Sequence, residues 1–141
     1  MSARAVERGA NGTVLLVEDE PVSRRLAERA LAAWGWRAVS AGSAEAALAL
    51  AVPGRFVAVV TDMELPGRSG AALVAELRAR PGDSALPAII VSGHAEATLR
   101  RDAAVQVQLA AGPATLLLSK PYPLPELRAC VTAICRPPGA D

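Results

Sequence analysis

Five short apolar runs, each followed by a stretch of helical spacing, restrict the fold of this chain more than any other feature. They cover residues 13–17, 36–41, 56–61, 86–91 and 115–118, lengths that suit buried strands rather than helices. Between them the pattern changes. Pro21 opens a helix in which Val22, Leu26, Ala30 and Trp34 recur near helical spacing with Leu31 beside them, and Gly35 closes it. Ser43 caps a second helix through Ala51, with Glu45 in its first turn. A third begins at Ser69 or Gly70, carries Leu73, Val74 and Leu77 on one side, and stops at Pro81-Gly82-Asp83. Residues 105–109 alternate as a strand would, but the regular succession of elements demands a helix over 95–111. Leu124, Leu127, Val131 and Ile134 mark the last helix.

Continuous apolar strands alternating with amphipathic helices predict an α/β fold, a doubly wound five-stranded parallel sheet with helices on both faces. Right-handed crossovers place all five carboxyl ends of the strands on one edge. With 141 residues the chain suits one domain with a sizeable core. Residues 13–135 are assigned to it, 1–12 to a flexible leader and 136–141 to a tail stopped by Pro137-Pro138.

A net charge of +1 gives no field favouring nucleic acid or an anionic membrane, and 3% aromatic content argues against base stacking. No apolar stretch nears the roughly 20 residues that span a bilayer, and the first twelve residues lack a signal-peptide core. A cytoplasmic protein is expected. Cys130 and Cys135 lie five apart on what reads as one helix, which favours small buried hydrophobes over a disulfide or metal pair.

The polar residues at the strand ends carry the chemistry. Glu18 and Asp19 follow the first strand, Asp62 the third, Ser92 the fourth and Lys120, the sole lysine, the fifth. Packed carboxylates repel, so this cluster calls for a cation. Oxygen-only ligands suit a hard ion such as Mg²⁺, with a phosphoryl group as a common further ligand. An aspartate can be the nucleophile toward phosphorus, giving an acyl phosphate. Mg²⁺, Lys120 and the Ser92 hydroxyl would meet the charge on the phosphoryl oxygens. Singly, each residue has a plainer use: Glu18-Asp19-Glu20 as a solvated turn, Asp62 as a turn residue, Ser92 as a helix cap, Lys120 on the surface.

Four blocks, Val17-Glu18-Asp19, Asp62 to Gly70, Val91-Ser92-Gly93 and Ser119-Lys120-Pro121, occur in order at successive strand ends. In them the chain resembles the receiver domain of bacterial two-component response regulators, of the stand-alone chemotaxis-regulator type, over about Thr13 to Cys135. The resemblance implies a flavodoxin-like sheet of order 2-1-3-4-5. It implies that Asp62 accepts phosphate from a histidine kinase or histidine phosphotransferase. Asp19, Asp62 and the backbone carbonyl of Glu64 would ligate Mg²⁺, with Glu18 supporting the ion through water. Lys120 would pair with the phosphoryl group, Ser92 would move to bond it, and the peptide before Pro121 would be cis. The domain would be a signalling module rather than an enzyme, acting on a downstream protein target, with a homodimer left open.

Three positions depart from the family pattern or carry its variable residues. Leu117 stands where an aromatic usually swings on activation. Glu64 and His94, the sole histidine, stand at matching offsets past Asp62 and Ser92, where they would tune phosphoryl lifetime as a pair across the site entrance or serve merely as solvated loop residues. Tyr122 is assigned to a docking surface with the first helix, Trp34 and Trp36 to the core, and Arg100 and Arg101 to an output face or a solvated stripe. Leu117 also favours a competing reading, a receiver-fold interaction module that signals without phosphorylation. A receiver cut from a hybrid histidine kinase is a variant of the first reading, and a Mg²⁺-dependent phosphatase ranks last.

Overall fold

The computed structural model describes residues 11–111 and 114–135. The elements run β1 (Thr13–Val17), α1 (Pro21–Ala33), β2 (Arg37–Ala41), α2 (Ala44–Leu50), β3 (Ala58–Asp62), α3 (Gly70–Arg78), β4 (Ala88–Ser92), α4 (Glu96–Leu99), α5 (Ala103–Ala110), β5 (Thr115–Ser119) and α6 (Leu124–Ile134). The strands form one parallel sheet in the order β2-β1-β3-β4-β5, as expected. Residues 1–10 of the leader and the tail 136–141 lie outside the described residues. The end of the leader is held: Asn11 N–H donates to the Gly35 carbonyl at 3.0 Å, and the Gly12 carbonyl accepts from Arg37 N–H at 2.9 Å.

Strand alternation divides the core in two. Leu15, Val17, Val59 and Ile90 face Ala44 and Ala47 of α2, Leu73 and Leu77 of α3, and Val105 of α5. Val14, Leu16, Val60, Ile89 and Val91 face Ala27 and Leu31 of α1 and Leu127 and Val131 of α6. β3 and β4 are buried at every position, which explains why they read as continuous apolar runs. Trp36 and Cys135 are core residues, and Trp34 packs at the margin beneath the Arg128 guanidinium. Both cysteines are free.

Two expectations need correction. The helix expected over 95–111 is two helices, because the Asp102 carboxylate accepts from Ala104 and Val105 N–H and holds its own backbone extended. The alternating segment 105–109 is helical, with Val105 and Gln108 inward three apart and Val107 outward. In α1 the buried residues are Ala27, Ala30 and Leu31, whereas Val22 and Leu26 are 62% and 56% exposed. The stripe facing the sheet begins one turn later than the apolar spacing suggested.

Sequence reading did not anticipate Arg78. It is buried at the end of α3 and donates to Leu86 O at 2.9 Å, Gln108 Oε1 at 3.2 Å, Ala114 O at 3.2 Å and Thr115 Oγ1 at 2.9 Å. These acceptors and the Gln108 carbonyl at 3.4 Å are all neutral, and burial lowers the affinity of the guanidinium for its proton. One side chain thereby ties α3 to α5 and to the start of β5.

Candidate functional site

The carboxyl ends of β1, β3, β4 and β5 bring together every strand-end residue singled out from the sequence. Glu18 leaves β1 with its N–H on the Ala41 carbonyl at 3.1 Å, and its own carbonyl accepts from Arg24 Nη1 at 2.9 Å. Arg24 therefore holds the acidic turn in place, a role that no local signal announces. The third acid of the turn takes the plainer use: Glu20 is the N-cap of α1, accepting from Val22 and Ser23 N–H at 3.1 and 2.7 Å. Its neighbours are freed for the site, and oxygens of Glu18, Asp19 and Asp62 lie within 4.8 Å of one another. Asp19 is exposed, and Glu18 and Asp62 are buried. Three carboxylates offering only oxygen fit a hard divalent ion.

Asp62 is the last residue of β3. The loop behind it is compressed: Gly70 N–H donates to Met63 O at 2.8 Å, and a Cβ at Gly70 would lie 2.0 Å from the Asp62 carbonyl oxygen. Only glycine lets the start of α3 approach this closely. Lys120 arrives from β5, with its N–H on the Ser92 carbonyl at 2.7 Å and a cis bond to Pro121 after it. Its Nζ lies 2.7 Å from Glu18 Oε1 and 3.0 Å from Asp62 Oδ1.

The charges divide unevenly. Burial, with Glu18 alongside, raises the Asp62 carboxyl to about 8 against the opposing pull of Lys120. Burial pushes Glu18 upward too, but its bonds with Asp62 and Lys120 outweigh that and leave it lowered. Burial works against the charge on Lys120, and the two carboxylates overcome it, raising its affinity for the proton. Without a cation these opposite shifts favour the charge on Glu18, paired with Lys120, and the proton on Asp62.

Ser92, Glu64 and His94 also meet, though not as expected. Glu64 and His94 are joined through the hydroxyl between them. Ser92 Oγ donates to the Glu64 carboxylate, at 3.0 Å from Oε2, and accepts from His94 N–H at 3.0 Å. Ser92 is not the cap of the next helix, since α4 begins beyond Ala95. Leu117 faces the α2–α3–α5 side, half-buried against that part of the core. Arg100 pairs with Glu96 at 2.8 Å on an exposed surface, the solvated alternative for that position. A groove of about 570 Å³ opens beside the site, with Glu18 and Lys120 at its polar end and Leu26, Ala27, Tyr122 and Leu124 along its walls.

The profile of the response regulator receiver domain matches residues 14–132. The chain belongs to that family. It is a signalling domain of two-component systems. The sensor kinase CckA of Brucella abortus is 32% identical over 130 residues, which is 91% of this chain and 13% of that protein. The curated relatives it matches are far longer, with this chain spanning 33% of another. The chemotaxis protein CheY4 of Vibrio cholerae shares the fold, with a TM-score of 0.76 at 22% identity over 87% of this receiver and 98% of that chain. The response regulator TrrA of Thermotoga maritima, solved in complex with Mg²⁺–BeF, has a TM-score of 0.73 at 26% identity over 87% and 98% of the two chains. No helix among the described residues is long and apolar enough to cross a membrane.

Proposed function

We propose that this receiver, residues 13–135, takes a phosphoryl group onto Asp62 from a phosphohistidine of a histidine kinase or histidine phosphotransferase. The observation that carries the reading is the meeting of Asp62, Lys120 and the Glu18–Asp19 pair at one sheet edge. An Asp62 oxygen forms the new bond to phosphorus as the bond from phosphorus to the histidine nitrogen breaks. Asp19, Asp62 and the Glu64 backbone carbonyl would hold Mg²⁺, with Glu18 acting through water. The ion supplies charge neutralisation on the phosphoryl oxygens. Lys120, already 3.0 Å from Asp62, meets one phosphoryl oxygen, and Ser92 meets another. Glu64 and His94, joined through Ser92, set how long the acyl phosphate lasts, and slow self-catalysed hydrolysis returns the resting state. No external substrate is turned over.

The groove beside the site supports docking of a helical partner. Exposed Leu26 of α1 and Leu124 of α6 present apolar surface in the groove that Glu18 and Lys120 also line. The signal then passes to a downstream protein in the cytoplasm, without nucleic-acid or membrane contact by this domain, and a homodimer is compatible with it. The likeness to a sensor kinase favours, as a variant, a receiver belonging to a hybrid histidine kinase. Leu117, an aliphatic residue where an aromatic would report activation, favours a second reading as a phosphorylation-independent interaction module.

Acetyl phosphate and Mg²⁺ separate the two. The first reading expects one phosphoryl adduct by intact mass, lost in Asp62→Ala. No adduct on the parent chain supports the second.

A further inference from the structure

We infer that Glu64 is a latch that holds the Ser92 hydroxyl away from Asp62, so that phosphorylation must break the Ser92–Glu64 bond before Ser92 can engage the phosphoryl group. The inference rests on the reading of Asp62 as phosphoacceptor and adds a resting-state restraint to it. Ser92 is 1% exposed, so water does not compete freely for its hydroxyl. Its oxygen accepts from His94 N–H at 3.0 Å, and its proton points to the Glu64 carboxylate, 3.0 and 3.2 Å from the two oxygens. A hydroxyl has one proton to give. It cannot donate to Glu64 and to a phosphoryl oxygen at once, and a carboxylate is an acceptor of comparable strength. Glu64 lies two residues past Asp62 on the same loop, so the latch is anchored to the strand that would carry the phosphate.

The competing explanation is that Glu64 merely repels a dianionic phosphoryl group by its charge. That effect needs no serine, whereas a latch does. A double-mutant cycle separates them. The full chain, Glu64→Ala, Ser92→Ala and the double variant are titrated with beryllofluoride in the presence of Mg²⁺. Alanine at Glu64 keeps the backbone carbonyl assigned to the ion. The latch expects Glu64→Ala to tighten beryllofluoride binding about tenfold, the scale of one charge-assisted hydrogen bond, and to change nothing in the Ser92→Ala background. The same factor in both backgrounds, or no tightening where serine is present, overturns it.

A second measurement needs no metal. The His94 amide proton resonance of metal-free Glu64→Ala should move toward its position in the beryllofluoride-bound parent. A resonance left at the resting position also overturns the latch. The parent titration and its adduct mass check the underlying reading separately. A parent that takes neither ligand nor adduct sinks both, while a parent that takes them with a flat cycle sinks the latch alone.

Discussion

Replacing Asp62 by Asn should stabilise the metal-free protein at alkaline pH and do little near pH 5. The Asp62 carboxyl is buried beside Glu18 and raised from 3.8 to about 8. The folded chain keeps this proton up to about 8, and the unfolded chain releases it near 3.8. Its contribution to stability is therefore present in full below the unfolded value and lost as pH rises through the folded one. At about 1.4 kcal/mol per unit, the shift sets a ceiling of roughly 6 kcal/mol on the penalty above pH 8. Solvent at the cleft mouth and the weaker bond that Asn makes to Lys120 bring the expected gain down to about 1–2 kcal/mol. For a chain of this size that is about 4–8 °C in Tm. The assay is thermal unfolding by circular dichroism in EDTA, at about pH 5 and about pH 8.5. The gap between variant and parent should be about a quarter as large at the lower pH as at the higher. Adding Mg²⁺ should reverse the order there by stabilising the parent alone. Equal gaps at both pH values, or a less stable variant at the higher one, would show that Asp62 is not held protonated by its surroundings.

Two further perturbations test the supporting structure. Gly70→Ala would place a Cβ 2.0 Å from the Asp62 carbonyl oxygen, so it should cost about 2–4 kcal/mol in urea unfolding and slow adduct formation at Asp62 in whatever fraction stays folded. Arg78→Ala leaves buried acceptors on Leu86 and Gln108 without that donor and should cost about 3 kcal/mol, and Arg78→Lys should fail to restore it because an ammonium cannot span the same acceptors; full recovery by Lys would refute the fork geometry.

Features written in local patterns were legible. The unbroken apolar character of β3 and β4 announced a buried parallel sheet, and the parallel sheet by itself put Asp19, Asp62, Ser92 and Lys120 on one edge. Ser43 caps the helix it was assigned to, and of the two starts left open for the third helix Gly70 is the first helical residue with Ser69 as its cap. What escaped depends on partners distant in the chain or on competition between near-equal roles. Arg78 reads as one more arginine until Gln108 and Thr115, 30 and 37 residues on, are folded against it. The helix expected over 95–111 took no account of Asp102, whose cap geometry breaks that stretch in two. Val22 and Leu26 kept helical spacing with the core, yet both are exposed, and Leu26 lines the groove instead. The Glu64–Ser92 bond was missed because matching offsets suggested a Glu64–His94 pair, and the serine between them was already assigned elsewhere.

The strand order has a mechanical consequence. Asp62 rides on β3, clamped by hydrogen-bond ladders on both sides, while Lys120 follows β5, an outer strand with a ladder only to β4. The two groups that would grip a phosphate thus belong to a fixed jaw and a movable one. One ladder resists displacement less than two, so a pull on Lys120 should be taken up by the edge strand before it disturbs the centre of the sheet. The outer flank of the domain is then where such a pull should be felt, at the cost of one ladder instead of two.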